Sequence, residues 1–188
     1  PKADIENFDY YPLPGLYNKY NIHAGVLTAK ILGIDERKIN SALKNFKPAF
    51  GRQEIIRFND KNIQIFLSKN PASFNQSLQT VKDLDGKNIL IVLNDRIPDG
   101  KDVSWIWDVD FELFIGGFKN ISVSGDRVHD MALRLKYADK NTIEIYENLK
   151  KSVEESIRSL KQNEILYVFP TYSAMLDLRK ILTGKKIL

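Results

Sequence analysis

The chain has 188 residues, 43% of them hydrophobic and 28% charged, which is typical of a folded domain that buries its own core. It has no cysteine, which excludes disulfide bonds and thiolate metal sites, and neither a membrane-spanning apolar run nor a signal-peptide pattern is present. The net charge is only +4 and basic residues alternate with acidic ones, so a nucleic-acid-binding role is not favoured.

The N-terminal part of the chain predicts a linker followed by two helices. Residues 1–14 are polar, aromatic and interrupted by prolines, which is typical of a linker entering a domain. Apolar residues recur at helical spacing over 18–32, and Gly33 supplies the stop. A second short helix is expected to begin at a capping residue, Asp35, and to end before Pro48.

The rest of the chain predicts an α/β fold. Two extended runs, 54–58 and 63–67, are joined by Asn59-Asp60-Lys61-Asn62 and predict a β-hairpin near the N-terminal part. Apolar strands then alternate with helices, which indicates a Rossmann-like, mostly parallel sheet with helices on both faces. We expect strands at 89–93, 121–123, 142–145 and 165–169, and helices at 73–84, 126–137, 146–160 and 172–182. Residues 15–188 are interpreted as one domain.

Three polar segments follow predicted strands, at 68–71, 94–102 and 124–127. Ligands of open α/β sheets bind at the carboxyl ends of the strands, so these segments are candidate sites, although each is also compatible with an ordinary turn. The second segment carries more charge than a turn needs and leads into Trp105 and Trp107. Those two rings are compatible with core packing or with a partner interface.

Self-contained hydrolase or nucleotide-binding motifs are missing from the sequence. His23 and His129 are the two histidines, and neither accompanies a serine or cysteine nucleophile pattern. No GxxxxGK[ST] phosphate loop and no GxGxxG after a strand is present. If the protein uses ATP, the phosphate loop must therefore lie outside this chain.

Several motifs, in matching order and spacing, resemble those of the Mur ligase family. They correspond to the helix that opens the C-terminal domain, to the Gly-Arg-x-Glu motif, and to a strand followed by an Asn-Pro helix start. The matching segments are GLYNKYNIHAGVLTAKILGI, FKPAFGRQEII and LSKNPASFNQSL. Later segments are similar to the MurT branch of this family: LNDRIPDGKDVSWIWDVDFE, SGDRVHDMALRLKYA and LYVFPTYSAMLDLRKIL. The resemblance implies a Mur ligase C-terminal domain, with residues 1–14 as the linker from a central ATPase domain.

The resemblance also implies a set of nucleotide contacts. Asn18 and Asn21 match asparagines that contact the adenine region, and Arg52 matches an arginine that reaches the nucleotide. Lys69 and Asn70 match the loop that borders it. The alternatives from the residues themselves are helix capping for the first two asparagines and a surface ion pair with the nearby glutamate for the arginine.

One position departs from the family pattern. Phe66 and Leu67 stand where other Mur ligases carry an aspartate. Recognition of the ribose through that carboxylate is therefore not expected in this chain.

The activity implied by the resemblance is that of an ATP-dependent carbon–nitrogen ligase. The α-carboxylate of D-glutamate in lipid II would be activated as an acyl phosphate and then amidated to D-isoglutamine. ATP and Mg2+ would be held mostly by the central domain, which also carries zinc, and no metal site is expected in this chain. The place of action would be the cytoplasmic face of the membrane.

Ammonia would come from a partner glutaminase of the GatD type, to which a ligase aspartate lends its carboxylate. The match here is Asp102, with Asp99 as second choice and helix capping as the alternative role. Two other functions stay open: a Mur-type ligase that adds an amino acid, and a non-catalytic interaction module that docks through the tryptophan loop.

Overall fold

The structure is a computed structural model that describes residues 10–140 and 142–185. The chain divides into two compact units, Pro1–Ala49 and Phe50–Leu188. Most of the predicted linker, residues 1–9, lies outside the described residues, and the proposed boundary between 14 and 15 stays a prediction. Among the described residues, no helix is long and apolar enough to cross a membrane.

The first unit contains the two predicted helices, α1 (Leu16–Ile31) and α2 (Glu36–Lys44). Helix α1 begins two residues earlier than the apolar spacing indicated, because Gly15, at a φ of 96°, makes the turn into it. The predicted cap of α2 is confirmed, since the carboxylate of Asp35 accepts the backbone N–H of Arg37 at 2.9 Å.

The second unit is built on a six-stranded sheet, and the predicted fold class is confirmed. The strands are β1 (Arg52–Phe58), β2 (Lys61–Phe66), β3 (Asn88–Val92), β4 (Asn120–Ser124), β5 (Glu144–Ile145) and β6 (Ile165–Pro170). Their order is β1-β2-β6-β3-β4-β5, and every neighbouring pair is parallel except the β1–β2 hairpin. The hairpin turn is shorter than expected. Only Asn59 and Asp60 remain unpaired, at φ values of 46° and 60° that suit a tight two-residue loop.

Helices cover both faces of this sheet. They are α3 (Pro71–Asp83), α4 (Phe111–Phe114), α5 (Val128–Tyr137), α6 (Leu149–Arg158) and α7 (Tyr172–Thr183). On β3, Ile89 and Ile91 pack into a core with α3, α4 and α5, whereas Leu90 and Val92 pack into a second core with α6 and α7. Because both faces are buried, the strand is apolar throughout rather than alternating.

Several helix boundaries differ from the prediction, and α3 begins at Pro71, two residues earlier than expected. Helix α5 begins at Val128 and α6 at Leu149, each two or three residues later than the sequence pattern indicated. The side chain of Asn148 caps α6 by accepting the N–H of Lys151 at 2.9 Å. Helix α2 ends at Lys44, before Pro48 as predicted.

The connection between β3 and β4 contains helical turns that the sequence did not predict. A 3₁₀ helix at Ser104–Asp108 leads into α4, and a second 3₁₀ turn follows at Ile115–Gly117. These pieces bury Ile106 and Phe111 in the core. The segment after the charged loop is therefore a packed part of the domain.

The chain reverses its winding at β6. The helices after β2 and β3 pack on one face, whereas α7, after β6, packs on the other. Such a switch between neighbouring strands opens a crevice beyond their carboxyl ends, where ligands of open α/β sheets bind. The segments after β2, β3 and β6 meet at this crevice.

Candidate functional site

Asn94, directly after β3, joins the polar segments at the carboxyl edge of the sheet. It is buried, and its backbone N–H donates to the hydroxyl of Thr171 at 3.1 Å. Its amide nitrogen donates to the hydroxyl of Ser173 at 3.0 Å, and its amide oxygen accepts the N–H of Asp126 at 2.9 Å. The segments after β3, β4 and β6 thus form one connected polar surface.

Gly125 is required for the close contact between two of these segments. Its φ is 103°, and a Cβ there would collide with the carbonyl oxygen of Leu93 and lie 2.8 Å from the amide oxygen of Asn94. A glycine at this turn lets the start of α5 approach the end of β3.

The charged loop 94–102 is tied to two helices. Arg96 donates from Nε to Asp126 at 2.8 Å and from Nη1 to Asp177 on α7 at 2.7 Å. The hydrogen bond to Asp126, together with that to Asp177, raises the pKa of Arg96 well above its ordinary value. The guanidinium is therefore a permanent cation that bridges two carboxylates.

The carboxylate of Asp99 is hydrogen-bonded to other residues of the domain. One carboxylate oxygen accepts the N–H of Ser173, in the first turn of α7, at 2.8 Å. The other accepts the hydroxyl of the same serine and the N–H of Arg96 at 3.2 Å. An anion at a helix N-terminus is stabilised by the N–H groups and the helix dipole, so this carboxylate has a structural role.

Asp102 differs from Asp99 because its carboxylate faces solvent. It accepts the N–H of Ser104 at 2.8 Å, two residues on, while the N-cap position of the following 3₁₀ helix is held by Val103. That backbone hydrogen bond, and secondly the hydroxyl of Ser104, hold the pKa of Asp102 below its ordinary value. A carboxylate has about four lone-pair positions, so it can accept from Ser104 and still accept a donor from outside.

The tryptophan segment is anchored by Arg134, a residue that sequence reasoning missed. Its guanidinium, 4% exposed, donates to the carbonyl oxygens of Ile106 at 3.1 Å and Val109 at 2.7 Å. It also makes a bidentate pair with Glu112 at 2.7 and 2.9 Å, which holds the pKa of Glu112 below its ordinary value. One signal was available: Arg134 lies on the apolar face of α5, beside Leu135.

The two tryptophans have different environments. Trp105 is partly buried and packs on the core ring of Phe74, with 6.1 Å between centroids. Trp107 is 47% exposed and meets Tyr137 edge-on at 5.4 Å. Core packing therefore describes the first ring and a surface position the second.

The cations expected at the nucleotide lie together at the end of β2. Arg52 pairs with Phe66 across the hairpin, and the carbonyl oxygen of Gly51 accepts the N–H of Leu67 at 2.9 Å. Lys69 follows two residues later, and both cationic side chains are exposed. The structure thus places two exposed cations near the carboxyl end of β2, one of the strands whose following segments meet at the crevice.

The alternative considered for Arg52, an ion pair with Glu54, does not form. Gln53, at a φ of 62°, is an extra residue in β1, so its two neighbours lie opposite successive residues of β2 and on opposite faces of the sheet. Glu54 instead pairs with Arg179 of α7 and accepts the N–H of Gly51 at 3.2 Å. The bulge leaves the guanidinium of Arg52 available.

The three asparagines predicted to contact the nucleotide are associated with two different helices. Asn70 caps α3, since its side-chain oxygen accepts the N–H of Ser73 at 2.8 Å. Asn18 and Asn21 lie on α1, in the first unit, and Asn21 is exposed. Asn18 is buried and donates to the carbonyl oxygen of Pro14 at 2.7 Å, so its amide oxygen is the group left to meet a donor.

Two further features bear on ligands. Phe66, at a position where other Mur ligases have an aspartate, is a core residue whose ring stacks on Phe169 at 5.8 Å. Across residues 10–140 and 142–185, no group of three or more potential metal-ligating His, Cys, Asp or Glu side chains is found.

Comparison with known proteins identifies relatives of the chain. Residues 67–175 match the family described as MurT ligase C-terminal. The lipid II isoglutaminyl synthase (glutamine-hydrolyzing) subunit MurT of Streptococcus pneumoniae is 32% identical over 177 residues, which are 92% of this chain and 39% of that protein. The corresponding subunit of Staphylococcus aureus strain COL is 33% identical over 154 residues, which are 73% of this chain and 35% of that protein. The chain thus spans less than half the length of these relatives.

Solved structures share the fold. Folylpolyglutamate synthase of Mycobacterium tuberculosis, complexed with ADP, has a TM-score of 0.70 at 16% identity, over 94% of this chain and 42% of that one. MurF of Acinetobacter baumannii has a TM-score of 0.69 at 18% identity, over 93% of this chain and 38% of that one. The family match extends over more than half of the chain and agrees with this fold, and the chain therefore belongs to the MurT ligase C-terminal family.

Proposed function

We propose that the chain is the C-terminal part of an ATP-dependent ligase subunit that amidates the α-carboxylate of D-glutamate in lipid II, at the cytoplasmic face of the membrane. Family membership supports the ligase class. The observation that carries the finer proposal is the exposed, ionised carboxylate of Asp102 on a loop that is otherwise tied to the domain. That carboxylate is available to a second protein.

The ligase half of the reaction needs positive charge around phosphate. ATP, with Mg2+ held mostly outside this chain, would supply the phosphoryl group that converts the carboxylate into an acyl phosphate, which ammonia then attacks with release of phosphate. The exposed cations of Arg52 and Lys69 fit this role, since a guanidinium and an ammonium both bind phosphate oxygens. Asn18, Asn21 and Asn70 are kept as the proposed neighbours of the nucleotide.

The ammonia half of the reaction needs a glutaminase, which we propose to be a separate GatD-type subunit with its own cysteine and histidine. Asp102 would accept a hydrogen bond from the imidazole N–H of that histidine. Such a carboxylate holds the ring in the productive tautomer and stabilises the imidazolium that forms during catalysis. Glutamine would then be hydrolysed rapidly only in the assembled pair, where ammonia can be used.

The test of the Asp102 role uses the full-length ligase subunit with its glutaminase. Asp102→Asn should lower the kcat of glutamine hydrolysis by about 10²- to 10⁴-fold, because the amide presents the wrong hydrogen-bonding partner to the imidazole. Ligation driven by added ammonium should persist. Asp60→Asn is the matched control, since Asp60 is an exposed aspartate in the hairpin turn. Unchanged glutamine hydrolysis in the Asp102 variant would remove the assignment.

The nucleotide role has its own test. Arg52→Ala in the full-length subunit should weaken ATP binding by about 10- to 100-fold, the loss expected for a charge-assisted contact. Arg57→Ala, at the other end of β1, should leave binding within about twofold, because that exposed side chain pairs locally with Asp60. Equal affinities of the two variants for ATP would mean that the nucleotide does not contact Arg52.

A further inference from the structure

Asp102 lies on a short stretch of chain that is anchored at both ends. On one side, Asp99 is hydrogen-bonded to Ser173 in the first turn of α7. On the other side, Val103 and Ile106 are buried in the core. The position of the Asp102 carboxylate therefore depends on where the loop before it is held.

Arg96 holds that loop against two other elements. Its side chain reaches Asp126, before α5, through Nε at 2.8 Å and Nη2 at 3.3 Å, and Asp177 on α7 through Nη1 at 2.7 Å. Its backbone N–H also donates to Asp99 at 3.2 Å. One residue thus connects the loop with the segment before α5 and with the middle of α7.

The exposure of these side chains indicates whether the ion pairs of Arg96 with Asp126 and Asp177 stabilise the fold or restrict local geometry. The side chains of Arg96, Asp126 and Asp177 are each 40–46% exposed. Ion pairs this accessible to water contribute little to global stability. A planar guanidinium that joins two carboxylates nevertheless restricts the geometry of the groups it bridges, because its donors point in fixed directions.

We propose that Arg96 is a positioning residue for Asp102: by joining Asp126 and Asp177, it fixes the loop 94–102 so that the carboxylate is presented to the glutaminase histidine. This inference rests on the proposed function of Asp102. A hydrogen bond to the imidazole requires about 2.6–3.2 Å between heavy atoms, and a misplacement of about 1 Å can cost about 10²-fold in rate. Loosening the loop therefore affects turnover.

The experiment compares arginine variants in the full-length ligase–glutaminase pair. Arg96→Gln should lower the kcat of glutamine hydrolysis by about 10- to 100-fold, with the KM for glutamine within about twofold, because the glutamine-binding groups belong to the other subunit. Arg96→Lys should recover part of the loss, since an ammonium can reach one of the two carboxylates. Arg57→Gln, with the same loss of charge in the hairpin, should behave as the unmodified protein.

A double variant separates positioning from other roles. If Arg96 acts through Asp102, adding Arg96→Gln to Asp102→Asn should change kcat by less than about twofold, because the group it positions is already lost. Independent, multiplying effects would overturn the proposal. So would a change confined to the KM for glutamine or to the dissociation constant of the pair, measured by calorimetry.

The two single variants distinguish a failure of the Arg96 positioning role from a failure of the proposed Asp102 role. If Asp102→Asn abolishes glutamine hydrolysis but Arg96→Gln does not affect it, the positioning role is wrong and the proposed function stands. If Asp102→Asn has no effect, both are wrong.

Discussion

Replacing Arg134 with leucine tests how the tryptophan segment is held in place. The guanidinium is buried, and it donates to two backbone carbonyl oxygens and to Glu112. Leucine keeps an apolar side chain but removes every donor. The two carbonyl oxygens would lose their charged donor but keep one backbone partner each, since Ile106 accepts the N–H of Val109 at 3.4 Å and Val109 accepts that of Phe111 at 2.8 Å.

The free energy of unfolding lost in Arg134→Leu depends on which hydrogen-bonding partners of Arg134 can be rehydrated. Glu112 has a side chain that is 55% exposed, so its carboxylate returns to water at little cost. Each carbonyl oxygen loses one hydrogen bond from a charged donor, which costs about 1–3 kcal/mol and gives a loss of about 2–6 kcal/mol for the pair. Replacing a buried ion pair by apolar groups can be neutral when both partners are removed, but here the backbone acceptors remain. We expect a loss in the upper half of this range only if water cannot reach the carbonyl oxygens of Ile106 and Val109.

The assay is urea unfolding of the 188-residue chain, followed by circular dichroism. Arg134→Leu should lower the free energy of unfolding by about 2–6 kcal/mol, which corresponds to a melting temperature lower by about 4–24 °C for a domain of this size. Arg158→Leu is the control, because Arg158 is 73% exposed and pairs with Glu155, one helical turn before it. A difference below about 0.5 kcal/mol between the two variants would refute the reasoning.

Two other predictions concern the carboxyl edge. Gly125→Ala should destabilise the chain by about 2–4 kcal/mol in thermal unfolding, because a Cβ meets the backbone at the end of β3 and φ is positive. Gly116→Ala is the control and should be nearly neutral, because there is open space around that position. Asp102 should titrate below its ordinary pKa by nuclear magnetic resonance, and Ser104→Ala should raise that pKa partway by removing the weaker of its two hydrogen bonds. Since the folded-state pKa is depressed, the stabilising contribution of Asp102 should be present above the unfolded-state pKa and be lost as the pH falls through the folded-state value. An Asp102 that titrates at or above its ordinary value would contradict the second prediction.

Local patterns were sufficient to predict most of the sheet. The hairpin and the buried strands were identified because alternation and continuous apolar runs are properties of neighbouring residues. The turns at Ser104–Asp108 and Ile115–Gly117 were missed because such short pieces have no periodicity, and packing against the core decides their conformation.

Two alternatives at the site were left open by the sequence because they depend on contacts between distant segments. The spacing of Arg52 and Glu54 allowed an ion pair as the alternative, but the bulge at Gln53, which separates them, depends on the register with β2. Likewise, the choice between Asp99 and Asp102 depends on a hydrogen bond from a helix that begins more than 70 residues later. Neither contact has a signature in the local sequence.

The most direct test of the account is a structure of the full-length ligase subunit bound to its glutaminase. We predict that a carboxylate oxygen of Asp102 lies about 2.6–3.2 Å from a ring nitrogen of the glutaminase histidine, while Asp99 remains bonded to Ser173. A complex in which the loop 94–102 faces away from the glutaminase pocket, or in which another carboxylate meets that histidine, would contradict it.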